Sequence, residues 1–383
     1  MKIRKMKYAH WFLSVYNLLF GKIKPKESLK VDYSFKSIVV YSTTALGDFM
    51  FNTPTMRALR QRYPDAHITL VAGTVNYAMV KDYACFDEVI FWNNKFRDMI
   101  QTVRKLRKHK PELAVILHGH LPYDILSAAL AGCQYILRDN YLTLPKELDS
   151  WVISCSLNFS GHLIQRKLNL MQFLGGDTTK IEMEIPCSFE KLAKPVGRVR
   201  IGFNMGASTR ERCWPVSHFT ELAKELLALH GDNCDIVIIG SQADHDLADS
   251  LLAELNDERL QRVVNYVGKT SLPQLLSVID SLDVLVTGDT GPLHLAVALK
   301  VPTVSLFVTV NPKFTGPYQD RELHHVIDLS GCSDDTLDEY PEQPLSIIPV
   351  AQVYSALVTI GVISAATQIG GSNAANPHVT IEQ

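Results

Sequence analysis

The chain has 383 residues, 46% of them apolar and 20% charged, with a formal net charge of −2. That length exceeds one ordinary core and suits two domains. The composition is that of a soluble globular enzyme and gives no whole-molecule basis for a nucleic-acid partner.

Seven cysteines, odd in number and without a C-x-x-C pair, argue against a disulfide framework or a zinc knuckle and favour a reducing cytoplasm. Charge is uneven: before residue 37 the basic side chains include Lys2, Arg4, Lys5, Lys7, Lys22, Lys24 and Lys26, against Glu27 and Asp32 alone. The apolar run 11–20 is too short to span a bilayer, which needs ~20 apolar residues, and no small-residue cleavage site follows it. Two readings stay open. An interfacial helix would lay Trp11, Phe12, Val15, Leu18 and Leu19 into lipid with the lysines on anionic headgroups; alternatively the helix packs on the protein's own surface.

From Lys36 onward, β-rich apolar runs alternate with helical patterns. Residues 37–42 (SIVVYS) read as a buried strand and 47–63 as a helix that Pro54 kinks or breaks. Strands are expected at 67–72, 88–92 and 113–118, with helices near 75–83, 96–108 and 123–131. A long helical pattern covers 151–174, and the Pro-punctuated stretch 186–196 marks a domain boundary. The second series gives strands at 200–204, 235–239, 262–266, 283–287 and 303–307. Helices at 217–229, 244–255, 272–279 and 292–299 separate them. Such alternation builds βαβ units and parallel sheets. The expected division is a basic segment 1–36, domains 37–190 and 191–360, and a disordered Gly/Ala/Ser/Asn-rich tail 361–383.

Ligands of such sheets bind beyond the carboxyl ends of the strands, so loops that follow strands carry most information. The loop 42–48 ends in Gly47-Asp48, where Asp48 is either a helix-start acid, worth ~1 kcal/mol at most against the dipole, or a catalytic carboxylate. Loop 204–215 offers Ser208, Arg210 and Arg212, the guanidiniums being suited to phosphate oxygens; a solvated charged loop is the bland alternative. Loop 287–294 places Asp289 or Thr290 as a helix cap, Pro292 in the first turn, and free N–H groups from Gly291 on, the geometry that seats a phosphate. His294 lies one turn in, facing the same anion or simply packed in the helix. There is no G-x-G-x-x-G, no P-loop, no G-x-S-x-G, no D-x-D in a loop of the kind that holds a divalent ion on a diphosphate, and no metal-ligand cluster; His324 and His325 are adjacent and diverge.

Together, 45–54 (ALGDFMFNTP), 204–215 (NMGASTRERCWP) and 288–307 (GDTGPLHLAVALKVPTVSLF) resemble glycosyltransferase family nine, the ADP-heptose:lipopolysaccharide heptosyltransferases, over roughly residues 36–357. The resemblance implies an α/β GT-B architecture of two Rossmann-like domains facing a cleft, acceptor on the first and nucleotide-sugar on the second. It implies an inverting transfer without metal or other cofactor, from an ADP-sugar donor to a lipid-linked saccharide acceptor. Asp48 resembles the family's general base, and Ser208, Arg212, Thr290, Gly291 and His294 its phosphate contacts. Asp289 resembles the acid on donor-sugar hydroxyls and Asp244 the acid on the ribose, with Asp246 as its rival. His162 resembles a family position without an assigned role. Arg212 stands where the family commonly has Lys, and Val308 where relatives have the Gly of G-P-T-D-P, which is expected to fill space beside the donor. A lipid-linked acceptor also implies a cytoplasmic enzyme peripheral on the inner membrane's inner face, with the N-terminal segment as its anchor. Other readings are the same machinery with another donor or acceptor, and a non-catalytic binding relative.

Overall fold

The computed structural model describes residues 2–139, 146–154, 159–331 and 342–364. The first half runs α1 (Lys2–Phe20), β1 (Ser37–Ser42), α2 (Leu46–Arg62), β2 (His67–Ala72), α3 (Thr74–Val80) and β3 (Glu88–Phe91). It continues with α4 (Phe96–Leu106), β4 (Leu113–His118), α5 (Tyr123–Ala131), β5 (Tyr135–Arg138), α6 (Lys146–Asp149) and β6 (Ile153–Ser154). After α7 (Leu163–Leu168) come β7 (Val199–Asn204), α8 (Val216–His230), β8 (Cys234–Ile239), α9 (His245–Ala253), α10 (Asp257–Leu260) and β9 (Val263–Asn265). The chain then forms α11 (Leu272–Asp280), β10 (Val284–Gly288), α12 (Gly291–Ala298), β11 (Thr303–Phe307), α13 (Pro312–Thr315), β12 (His324–Asp328) and α14 (Val350–Thr359).

Two all-parallel sheets result, ordered β3-β2-β1-β4-β5-β6 and β12-β11-β10-β7-β8-β9. Counted from its own first strand, each has the doubly wound 3-2-1-4-5-6 order, so each has one switch point: between β1 and β4, and between β7 and β10. Central strands are buried along their whole length, as β1, β8 and β10 show. This is why they read as apolar runs rather than alternating ones. The expected α/β architecture of two Rossmann-like domains is present.

The readings needed three corrections. Helix α2 continues through Pro54 instead of breaking there. The carbonyl that Pro54 cannot serve is that of Met50, and it accepts the Thr53 hydroxyl at 2.9 Å. The expected helix 151–174 is mostly not one: β6 pairs with β5, and helix begins only at α7, continuing as a 3₁₀ turn over Asn169–Leu174. His162 sets that start, its ring Nδ1 accepting the Ile164 N–H at 3.2 Å. Strands β5 and β12 went unread. The tail reading lies outside the described residues from 365 on.

Helix α1 packs Met6, Ala9 and Leu13 into the core beneath the first sheet, and the Trp151 indole N–H donates to His10 Nδ1. Its other face leaves Trp11, Leu18 and Leu19 exposed. Between the sheets, α2 packs on α12, and one apolar cluster runs from Phe49, Phe51 and Met56 to Leu293 and Leu295.

Candidate active site

Both switch points open on the same gap. A cavity of about 380 Å³ is lined on one side by Asp48, His118, Arg166 and Lys167, and on the other by Ser208, Arg212, Asp289, Thr290, Gly291 and His294. The strands account for this placement. Asp48 follows β1 and His118 ends β4, the pair flanking the first switch point; Ser208 and Arg212 follow β7 and Asp289 follows β10, the pair flanking the second.

On the first side, Asp48 sits in the first turn of α2, and the Asn52 amide donates to Ser42 Oγ at 2.8 Å, tying helix to strand. His118 Nδ1 lies 3.4 Å from Asp48 Oδ2. Burial, and then the Lys167 ammonium, push the His118 pKa down to about 4 against the opposing pull of Asp48 and Asp139. Below it is a buried ion cluster. Asp139 accepts a two-pronged pair from Arg166 (2.8 and 2.9 Å) and one bond from Lys167 at 2.9 Å, while Lys167 also donates to the Leu117 carbonyl. Burial alone would raise the Asp139 pKa, but Lys167 and Arg166 hold it below the ordinary carboxylate value.

On the second side, Asp289 stands between two cations or donors, 3.6 Å from Arg212 Nη1 and 3.6 Å from His294 Nε2. Glycines let the loops close. A Cβ on Gly288 would lie 2.5 Å from the Arg212 carbonyl oxygen, and one on Gly47 would lie 2.9 Å from His294 Cδ2 across the gap. The expected capping of α12 does not occur. Thr290 occupies the N-cap position without a side-chain cap bond; its hydroxyl is instead held by Asn204 Nδ2 at 3.0 Å and Thr287 Oγ1 at 3.0 Å. Among the described residues, no side chain caps the first-turn N–H groups of α12, the arrangement that suits an anion.

Asp244 does not line this cavity. It lines a neighbouring one of about 580 Å³ that shares Leu46, Ser208, Thr290 and Gly291 with the first. There Asp244 Oδ2 accepts from the Ser241 N–H and hydroxyl, both at 2.7 Å, as half of a capping box. Its rival Asp246 lies in the first turn of α9 and lines neither cavity. Val308 does not fill the donor cleft as expected: it is buried in the second domain's core, and Val310 lines the cavity instead. His162 gains a place: its Nε2 lies 2.9 Å from the Gly316 carbonyl and its ring stacks on Tyr318 at 4.3 Å, joining the linking helix to the second domain.

Sequence reasoning missed His118, Arg166 and Lys167. His118 was within reach, as the last residue of an expected strand beside the first switch point. Arg166 and Lys167 depend on Asp139, which follows the unread strand β5. Among the described residues the fold also assembles one group of metal-ligand composition, His67, Glu88 and His109, at the opposite edge of the first sheet. The two rings there stack at 3.9 Å and 13°, and His109 Nε2 lies 2.8 Å from Glu88 Oε2.

A family model described as glycosyltransferase family 9 (heptosyltransferase) matches residues 150–343. Lipopolysaccharide heptosyltransferase 2 of Salmonella typhimurium is 36% identical over 304 residues, covering 74% of this chain and 86% of that protein. Among solved structures, a family 9 glycosyl transferase from Veillonella parvula superposes with a TM-score of 0.73 at 22% identity, covering 86% of this chain and 98% of the other. The E. coli ADP-heptose lps heptosyltransferase II does so with a TM-score of 0.67 at 22% identity, covering 85% and 98%. These two likenesses establish the shared two-domain GT-B fold. With the sequence identity to the curated relative, they show that this chain belongs to glycosyltransferase family 9, the heptosyltransferases.

Proposed function

We propose that the chain transfers heptose from ADP-heptose to the lipopolysaccharide inner core, with inversion at the anomeric carbon and without a divalent ion. The relatives' names supply donor and acceptor, and one observation carries the mechanism: a carboxylate from the first domain and an anion seat from the second line one cavity. Asp48 takes the proton of the acceptor hydroxyl, a step that typically contributes 10²–10⁴-fold. The freed oxygen attacks the anomeric carbon from the face opposite the diphosphate. The new C–O bond forms as the bond to the β-phosphate oxygen breaks, and ADP leaves with the electron pair.

Its growing negative charge meets the Arg212 guanidinium, the Ser208 and Thr290 hydroxyls, His294 and the uncapped N–H groups from Gly291 on. Asp289 holds donor-sugar hydroxyls. Asp244, with Oδ2 spent on Ser241, offers its other oxygen to the ribose in the adjoining cavity. In this reading residues 37–190 hold the acceptor and 191–360 the nucleotide-sugar.

The enzyme works on the cytoplasmic face of the inner membrane. No helix among the described residues is long and apolar enough to cross a membrane. The exposed Trp11, Leu18 and Leu19 of α1, with the neighbouring Lys22, Lys24 and Lys26, instead suit a surface anchor.

A transfer assay with ADP-heptose against UDP- and GDP-sugars, with and without chelator, tests the reading. Preference for ADP-heptose that survives chelation supports it; preference for another donor overturns it. ADP alone at one hundred times its Kd should stabilise the fold by ~2.7 kcal/mol.

A further inference from the structure

A second concavity lies on the outer flank of the first domain, between α1, α4 and α5. It encloses about 450 Å³ and is walled by apolar side chains, among them Ala9 and Phe12 of α1, Met99 and Ile100 of α4 and Leu126 of α5. Its rim is exposed: Tyr8 is 71%, Phe96 57% and Ile100 53% accessible. Aromatic and aliphatic groups gathered like this around an open groove are not left to water without a partner.

Charge says what kind of partner. Lys5 is the single charged lining residue, its ammonium 6.0 Å from the Tyr123 ring centroid. The exposed charged side chains of the two flanking helices are all cationic: Arg4, Lys5 and Lys7 on α1, Arg97, Arg104 and Lys105 on α4. Helix α1 has no acid, and the acid of α4, Asp98, is half-buried, accepts from Asn93 Nδ2 at 2.5 Å and lies 3.5 Å from Arg97 Nε, so Arg97 is partly offset while the other five cations have no acid on these helices. Two copies of this chain meeting here would press like charges together, which disfavours a dimer. An anionic amphiphile satisfies both features at once.

Position supports the same partner. By helical spacing, the exposed Trp11, Val15 and Leu19 of α1 follow the groove residues Tyr8 and Phe12 along one side of the helix. Phe96 and Tyr123 open the helices that follow β3 and β4, so one end of the groove lies toward the carboxyl edge of the sheet that carries Asp48 and His118, and the groove runs back along α5 to Leu130.

We propose that this groove takes an acyl chain of an anionic phospholipid in the membrane surface, with Lys5 and the cations of the flanking helices on the headgroups and α1 lying flat beside it. The inference rests on the membrane part of the proposed function. It adds α4 to the docking surface and sets the cleft's edge, rather than its back, toward the lipid.

The test is sedimentation of the full chain with vesicles of phosphatidylglycerol and phosphatidylethanolamine, and with phosphatidylcholine vesicles. The variants are I100E and F96E, both at exposed positions, and L18E on the exposed face of α1. The parent should bind the anionic vesicles at least tenfold better than phosphatidylcholine. I100E and F96E should each lose about tenfold in binding while keeping the parent's Tm and its rate on a deacylated, water-soluble acceptor. Parent-like vesicle binding by both groove variants, with binding lost in L18E, overturns the groove and leaves the α1 anchor standing. No vesicle binding by the parent overturns both. A concentration-dependent dimer abolished by I100E, with vesicle binding intact, assigns the groove to a second copy instead.

Discussion

His118 Nδ1 stands 3.4 Å from Asp48 Oδ2, the two side chains brought together by strands that flank the first sheet's switch point. With its pKa pushed down to about 4 by burial and Lys167, the imidazole is neutral at working pH. If Asp48 is the base, as proposed above, a neutral neighbour leaves its carboxylate without the ion pair that would weaken it. His118→Asn should lower kcat about tenfold, or ~1.4 kcal/mol in the barrier. KM for the donor should stay within twofold. An unchanged kcat would make His118 a packing residue only.

Arg212 reaches the cavity from β7 and faces Asp289. A charge-assisted hydrogen bond to phosphate is worth roughly 1.5–3 kcal/mol, so Arg212→Ala should weaken ADP binding by about ten- to a hundredfold in calorimetry. Arg212→Lys should recover part of the loss, since it restores charge but not the forked geometry. Equal ADP affinity in parent and Arg212→Ala would remove Arg212 from the anion seat.

Gly288 is where the loops after β7 and β10 touch. An added methyl would meet the Arg212 carbonyl at 2.5 Å, and a backbone oxygen cannot swing aside as a side chain does. Gly288→Ala should cost about 1–3 kcal/mol of stability, as overpacking does, and should weaken ADP binding at the same time. Gly132, whose Cβ would meet nothing within 4 Å, has a φ of +109° and serves as the contrast. Alanine there should lower stability through backbone strain while leaving ADP affinity alone. Loss of ADP affinity in both variants would count against a local effect at Gly288.

Three histidines, His162 and His324 buried and His118 half-buried, should make stability fall toward acid pH. His118, His162 and His324 are each held to about 4 by burial, with the Gly316 carbonyl opposing at His162 and Asp320 and Glu322 opposing at His324. Above about pH 6.5 folded and unfolded forms are both neutral at these rings. Between 6.5 and 4 the unfolded chain binds the protons and the folded one does not, so stability falls as pH falls through that window. Thermal melts from pH 7 to 4 should show Tm declining, with a shallower slope in His324→Gln. A slope unaltered by that substitution would mean His324 is not among the groups responsible.

Much of this was legible in the sequence, and the exceptions have physical causes. Central strands such as 37–42 and 234–239 announce themselves because burial on both faces demands unbroken apolar runs. Strand β12 (HHVID) is an edge strand with half-exposed positions, so no such run marks it. The motif loops were found because the fold puts them after strands. Arg166 and Lys167 were not, since their partner Asp139 is separated from them by residues whose pairing only the sheet reveals. For α1 the structure shows the packing alternative, with Leu13 facing inward, while Trp11 faces outward on the same helix.

The central claim is that Asp48 acts as the base toward a donor held by the other domain, and Asp48→Asn tests it most directly. The measurement is the steady-state rate of heptose transfer from ADP-heptose to a soluble inner-core acceptor, with ADP affinity taken on the same preparation. The account predicts a rate lower by about 10²–10⁴-fold with ADP affinity within twofold of the parent. A near-parental rate would reduce Asp48 to a helix-start acid and contradict the mechanism.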